Sequence, residues 1–271
     1  HDGSSGYTYI SYCLKAGGTG SANTAGFSGA SASDYNSTVS VADHNGFAIV
    51  KWDAIGSVAT GAAVGHGMGQ TPEFIIIKDT TNVANWYVWH KDLSNNYEYL
   101  TLNNNGGEDD DSSGRAWDNH ANTNANTFSV GNGAGSDWTN DAGETYMAYC
   151  FARTPGLIGI GSYTGNNSTD GPYVVVDDGG SGFKPAWIVI KRIDASNNWQ
   201  VYDSVRDPYN PMDGTLQFDT DANESTGTPY FDLTSNGFKV RATSLWLNAS
   251  SGKYIYLAFA ESPFASNNRA R

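Results

Sequence analysis

Short apolar and aromatic runs alternate along the chain with clusters of Gly, Asn, Asp, Ser and Thr. Phe47-Ala48-Ile49-Val50-Lys51-Trp52, Phe74-Ile75-Ile76-Ile77-Lys78 and Trp86-Tyr87-Val88-Trp89-His90 are such runs, as are Tyr97 to Leu102, Thr127 to Val130 and Tyr146 to Ala152. Runs of this length, rich in β-branched and aromatic residues and bounded by turn formers, predict strands. No stretch carries a helical period. Many short strands with turn signals between them predict an all-β protein built as a two-sheet β-sandwich, jelly-roll or lectin-like.

The runs also repeat. Tyr9-Ile10-Ser11-Tyr12-Cys13-Leu14, Tyr146-Met147-Ala148-Tyr149-Cys150-Phe151 and Tyr254-Ile255-Tyr256-Leu257-Ala258-Phe259 share one pattern, each a few residues after a Gly. Pro72-Glu73-Phe74-Ile75-Ile76-Ile77-Lys78 matches Pro185-Ala186-Trp187-Ile188-Val189-Ile190-Lys191, and Asn85-Trp86-Tyr87-Val88-Trp89 matches Asn198-Trp199-Gln200-Val201-Tyr202 at the same offset. Phe128 and Trp138 match Phe238 and Trp246 at slightly shorter offsets. Blocks that recur in one order indicate homologous repeats. The expectation is two tandem domains, 46–153 and 156–262, preceded by a Gly/Ser-rich linker over 17–45 and followed by a tail, 263–271. Within the linker Ser37-Thr38-Val39-Ser40-Val41 reads as one short edge strand. Residues 1–16 then match the last strand of a preceding repeat. Tyr9, Ile10, Tyr12 and Leu14 would form an assembly strand, because an unpaired apolar strand adds to a sheet of its own chain or of a neighbouring copy.

Composition narrows the class. Charged residues make up 16%, the net charge is -13, and nothing in that balance neutralises phosphate, so nucleic acid is not an expected partner. No apolar run is long enough for a helical membrane span, and membrane insertion is not expected. With 16 Tyr, 11 Phe and 8 Trp the chain is too aromatic to be disordered. The N-terminal residues lack the basic and apolar regions of a signal peptide. Two cysteines do not make a disulfide scaffold, and Cys13 and Cys150 read as free, buried strand residues.

The segments Tyr146 to Arg153 with Pro155-Gly156, Gly161-Ser162-Tyr163-Thr164-Gly165-Asn166, Gly182 to Lys191, Asp203 to Asn210 and Tyr254 to Phe264 carry a resemblance. Together they resemble a repeated β domain of uncharacterised function found in the C-terminal part of phage tail-fibre-like virion proteins of aquatic bacteria. The resemblance implies a virion or otherwise extracellular surface protein that assembles as a homo-oligomer, a trimer or a strand-donating assembly. It implies no biochemical activity. The first repeat departs from the second at Gly65 to Pro72 and at His90-Lys91-Asp92-Leu93, so the two are not expected to carry identical sites.

Candidate chemistry is sparse. None of the five histidines stands in a nucleophile or metal-protease motif, and His66 between glycines reads as a turn residue. Asp219, Asp221 and Asn223 place oxygens at the spacing with which calcium loops begin, without the following Gly and distal Glu, so calcium is the one cofactor to consider. Asp109-Asp110-Asp111 reads as a solvated acidic run. In Asp203-Ser204-Val205-Arg206-Asp207-Pro208-Tyr209-Asn210 the structural reading pairs Arg206 with Asp203 or Asp207, and the functional one lets Arg206 and Tyr209 line a ligand surface. Trp117 and Asn119 read as an exposed ring beside an amide, the pairing that sugar binding uses. The functional expectation is a non-enzymatic structural or adhesion protein that attaches to a host cell-surface glycan or receptor. The alternatives are an extracellular carbohydrate-binding or filament-forming adhesin module of cellular origin and, further off, a glycan depolymerase using paired carboxylates.

Overall fold

The protein is described by a computed structural model over residues 10–23, 37–54, 56, 62–120, 123–132 and 138–262. Almost every regular element is a strand. The first half holds β1 (Ser21–Asn23), β2 (Ser37–Val41), β3 (Phe47–Asp53), β4 (Ala63–Gly65), β5 (Phe74–Asp79), β6 (Trp86–His90), β7 (Glu98–Thr101), β8 (Asp109–Asp110), β9 (Thr127–Ser129) and β10 (Thr145–Phe151). The second holds β11 (Ile158–Thr164), β12 (Tyr173–Val175), β13 (Pro185–Arg192), β14 (Gln200–Asp203), β15 (Leu216–Gln217), β16 (Phe231–Thr234), β17 (Gly237–Val240) and β18 (Lys253–Ala260), with one short helix, α1, at Leu245–Asn248.

The strands form open sheets, all paired antiparallel. One large sheet has the order β1-β2-β3-β10-β5-β6-β7-β8 and the other β11-β18-β13-β14-β15, while β4-β9 and β12-β17-β16 form small sheets. The order β3-β10-β5-β6-β7 in one large sheet recurs as β11-β18-β13-β14-β15 in the other, with the aromatic strands β10 and β18 second in each. The strand expected at Ser37 to Val41 is present with those bounds. It is not an edge, because β1, inside the presumed linker, pairs with it through Ser21↔Val39 and Asn23↔Ser37.

Side-chain alternation explains how the sheets stack. A strand points successive residues to opposite faces. On β18, Tyr254, Tyr256 and Ala258 join one hydrophobic cluster with Ile188, Ile190, Phe231 and Phe238. Ile255 and Leu257 of the same strand join a second cluster with Phe74, Val88, Val189 and Trp199. On β10, Tyr146 stacks on Trp52, which meets Phe128 of the small sheet edge-on at 5.6 Å. The other face of β10 presents Phe151, whose ring lies 6.0 Å from that of Phe259 on β18. The order of layers is therefore small sheet, large sheet, large sheet, small sheet. The two large sheets are back to back, and one hydrophobic cluster runs across both. β10 and β18 read as unbroken apolar runs because each is buried on two faces.

Polar contacts fasten the halves as well. The indole N–H of Trp199 donates to the Thr101 carbonyl at 2.9 Å, and Glu108 and Asn197 make backbone hydrogen bonds across the halves to Ile193 and Asn105. Arg153 holds Glu73 with two nitrogens, Nε at 2.6 Å and Nη2 at 2.9 Å, and its Nη1 reaches both oxygens of Asp177. Such bidentate pairs fix geometry as well as charge.

The cysteines divide. Cys150 is a free, buried residue of β10, and burial pushes its thiol well above the ordinary range. Cys13 is free but exposed and lies outside any strand, contrary to the expectation of a buried strand residue. The reason is that residues 10–17 pair with no strand among the described residues. A thiol-reactive disulfide dye should therefore release one equivalent of its chromophore rapidly from the native protein and the second only on unfolding. Two fast equivalents would place Cys150 elsewhere than in a sealed core.

Candidate functional site

The residues expected to carry binding are in part spent on structure. Trp117, expected to be exposed, is fully buried. Its ring stacks 5.0 Å from His120, which stacks 4.0 Å from Trp89, so the indole is one layer of a buried aromatic stack and offers no face to a sugar. Asn119 lies in the 3-10 turn Asp118–His120, and its side chain is outside the described residues. Arg206 donates from Nε to Asp203 at 2.5 Å, from Nη2 to the Val201 carbonyl at 3.3 Å, and pairs with Glu224 through Nη1. Of the two partners expected for it, Asp203 is the one used. Asp207 instead accepts the backbone N–H groups of Asp213 and Gly214. Tyr209 projects into solvent, 78% exposed.

Asp219 accepts the Trp199 backbone N–H at 3.1 Å, and burial raises its carboxyl. Asp221 and Asn223 are exposed. Among the described residues no group of three or more His, Cys, Asp or Glu side chains gathers around a common point.

The histidines follow one design. His90 Nδ1 accepts the N–H of Asp92 at 3.0 Å, which makes Nε2 the protonated nitrogen facing the Tyr256 carbonyl at 3.4 Å on the opposite sheet. His66 Nδ1 accepts the Met68 N–H, and its Nε2 meets the Asn124 carbonyl at 3.1 Å. Burial lowers all three buried imidazoles, His66 among them, with His90 pushed down to about 4 and His120 to about 3. They are neutral wedges that hold turns. The expectation of a turn role for His66 fits this geometry.

What the sheets leave open is a cavity of ≈ 680 Å³ between the two large sheets. One wall is Phe74, Ile76, Trp86, Leu102, Tyr149 and Phe151; the facing wall is Trp187, Val189, Trp199, Phe218, Leu257 and Phe259. Ser11, Tyr12, Cys13 and Leu14 cross its mouth as a strap.

The strap is where the expected assembly strand falls. Tyr9 lies outside the described residues. Ile10, Tyr12 and Leu14 are extended without sheet pairing and remain 42%, 38% and 47% exposed. Tyr12 is the anchor. Its ring meets Trp187 edge-on at 5.7 Å, and its hydroxyl donates to Asp203 Oδ2 at 2.8 Å. Burial and that hydrogen bond push the phenol up to about 12. Burial alone would raise Asp203, but the Arg206 amide and guanidinium and the Tyr12 hydroxyl hold its carboxyl below the ordinary range. Beyond the strap the chain runs close against β2, where any Cβ at Gly17 would stand 2.0 Å from the Val41 carbonyl oxygen and the Ser40 hydroxyl donates to the Gly18 carbonyl at 2.8 Å.

The aromatic walls escaped the sequence reading for a definable reason. Phe74, Phe151, Trp187, Trp199 and Phe259 sit in runs apolar on both faces, where period alone does not say which face meets a partner.

A family model described as a domain of unknown function, DUF7483, matches residues 2–263. No curated protein and no solved structure matches the chain.

Proposed function

This chain belongs to the DUF7483 family, and we propose that it is a non-enzymatic structural and attachment protein of a phage virion, a tail fibre or surface decoration. In this reading two homologous sandwich repeats, 46–153 and 156–262, are displayed outward, assemble with other copies and touch a host-surface glycan or receptor. The observation that carries it is how the chain uses its reactive groups. The three buried histidines and the strongest ion pairs, Arg153 with Glu73 and Asp177 and Arg206 with Asp203 and Glu224, all fasten turns and sheets. What faces outward is acidic, hydroxyl- and amide-rich, with aromatic rings such as Tyr173 and Tyr209 standing exposed. The resemblance to tail-fibre repeats supplies the setting.

Sedimentation of the purified chain together with binding to host cells and to immobilised capsule and lipopolysaccharide glycans tests this. Expected are species larger than a monomer and saturable surface binding, with no reducing sugar released. Release of reducing sugar would replace it with a depolymerase. A monomer that binds no surface would remove the attachment reading altogether.

A further inference from the structure

We propose that the cavity between the two large sheets is a binding site for a hydrocarbon chain, such as the acyl chain of a fatty acid, with the Ser11–Leu14 strap as its lid. This does not depend on the virion reading, since it rests only on the walls of the cavity and what crosses its mouth.

The size fits first. A volume of ≈ 680 Å³ falls within the range of roughly 300–1,000 Å³ that small-molecule sites occupy. The chemistry of the walls then selects the occupant. They are two sheet faces, so the backbone groups behind them are already paired in their ladders. Of the wall indoles, Trp199 has its N–H on the Thr101 carbonyl, while that of Trp187 is buried without a partner. Arg206 and Asp203, the charges near the mouth, are engaged with each other, with Glu224 and with Tyr12. A sugar or a peptide backbone entering between Phe74, Phe151, Trp187 and Phe259 would give up its water for rings and methyl groups, and the single unpartnered indole N–H of Trp187 would satisfy only one of its several polar groups. A second strand therefore does not suit the interior. A hydrocarbon chain gives up nothing on entry and fills the space with dispersion contacts.

The strap fits a lid. Its hold on the body is concentrated in Tyr12, which touches Trp187 and Asp203, while Ile10 and Leu14 stay about half exposed. Gly17 packs closely against Val41 and the Gly18 carbonyl accepts the Ser40 hydroxyl, so residues 10–16 can swing without disturbing β1 and β2.

The test uses the full chain and cis-parinaric acid, a polyene fatty acid that brightens in apolar surroundings and accepts energy from indole. Expected is a saturable signal at one probe per chain, with quenching of tryptophan emission and displacement by palmitate but not by a neutral hexose. Filling the space with Ile76→Trp together with Val189→Phe should weaken binding roughly tenfold or more, with the melting temperature kept or raised. Tyr12→Ser should speed both entry and release of the probe while the fold, followed by circular dichroism, stays intact. An absence of saturable binding overturns the proposal. So does equal binding by the folded, filled variant, which would place the probe elsewhere. Loss of binding in step with formation of a dimer as protein concentration rises overturns it too, because the groove would then be taken by a second copy.

Discussion

Trp199→Ala will cost about 4 kcal/mol and lower the melting temperature by roughly 10 °C, without dividing the transition in two. Trp199 follows the loop before β14 and is 1% exposed, yet its indole reaches across to the Thr101 carbonyl of the other half at 2.9 Å. Removing it opens a void beside Val189 and Leu257 and leaves Thr101 with a buried acceptor that has lost its donor. Because the residue stands in the cluster shared by the two large sheets, both sheets lose contacts at once. Far-ultraviolet circular dichroism, which follows all strands, and fluorescence of the remaining indoles should report the same shifted midpoint. A loss confined to the second half, with the first melting as before, would mean that the shared cluster contributes little.

The second large effect is loss of stability in mild acid. His66, His90 and His120 are buried and neutral, with imidazoles lowered by burial, His90 to about 4 and His120 to about 3. In the unfolded chain each takes a proton near pH 6.5, so between that pH and the folded value the unfolded state binds more protons and stability rises with pH. The contribution is therefore complete above about pH 6.5 and is lost as the pH falls toward 4. Well inside this interval His90 and His120 each add a slope of ~1.4 kcal/mol per pH unit and together approach ~3, and His66 adds in the same direction. Carboxylates held low, such as Asp177 and Asp203, lose their contribution only below the ordinary aspartate range, and Asp219, raised by burial, works the other way. Urea midpoints taken at pH 7, 6 and 5 should fall steeply, and His90→Asn, which keeps an acceptor for the Asp92 N–H, should flatten the fall by roughly a third to a half. A midpoint independent of pH over that interval would show that these rings are not sealed.

Much of this fold is legible in the residues. Strands from Phe47, Phe74, Trp86 and Tyr146 lie where alternation and turn formers put them, and the short strand at Ser37 to Val41 has the expected bounds. The matched blocks fall at matched places, Phe74 to Lys78 on β5 and Trp187 to Lys191 on β13, each beside the aromatic strand of its sheet. The stacking of the layers is another matter. Tyr146 and Tyr149 on β10, or Tyr256 and Leu257 on β18, are equally apolar to the eye, and only the three-dimensional arrangement tells which faces the small sheet and which the other half.

The site was less legible for related reasons. Trp117 stands among Asp and Asn, a surface-like neighbourhood, but is drawn inward by stacking on His120, whose ring also stacks on Trp89. Segment 10–16 copies the pattern of β10 and β18, yet each large sheet already has that strand in place, so the segment lies over the groove instead. Arg206 was legible as an ion-pair residue; that Tyr12, far away in the chain, completes its pair with Asp203 was not.

The central claim is that the two halves share one core. Differential scanning calorimetry of the intact chain at pH 7 tests it most directly. A single transition whose calorimetric and van't Hoff enthalpies agree is the expected result, since the cluster through Phe74, Val88, Val189 and Leu257 belongs to both large sheets. Two separable transitions, each with the enthalpy of about half the chain, would contradict it.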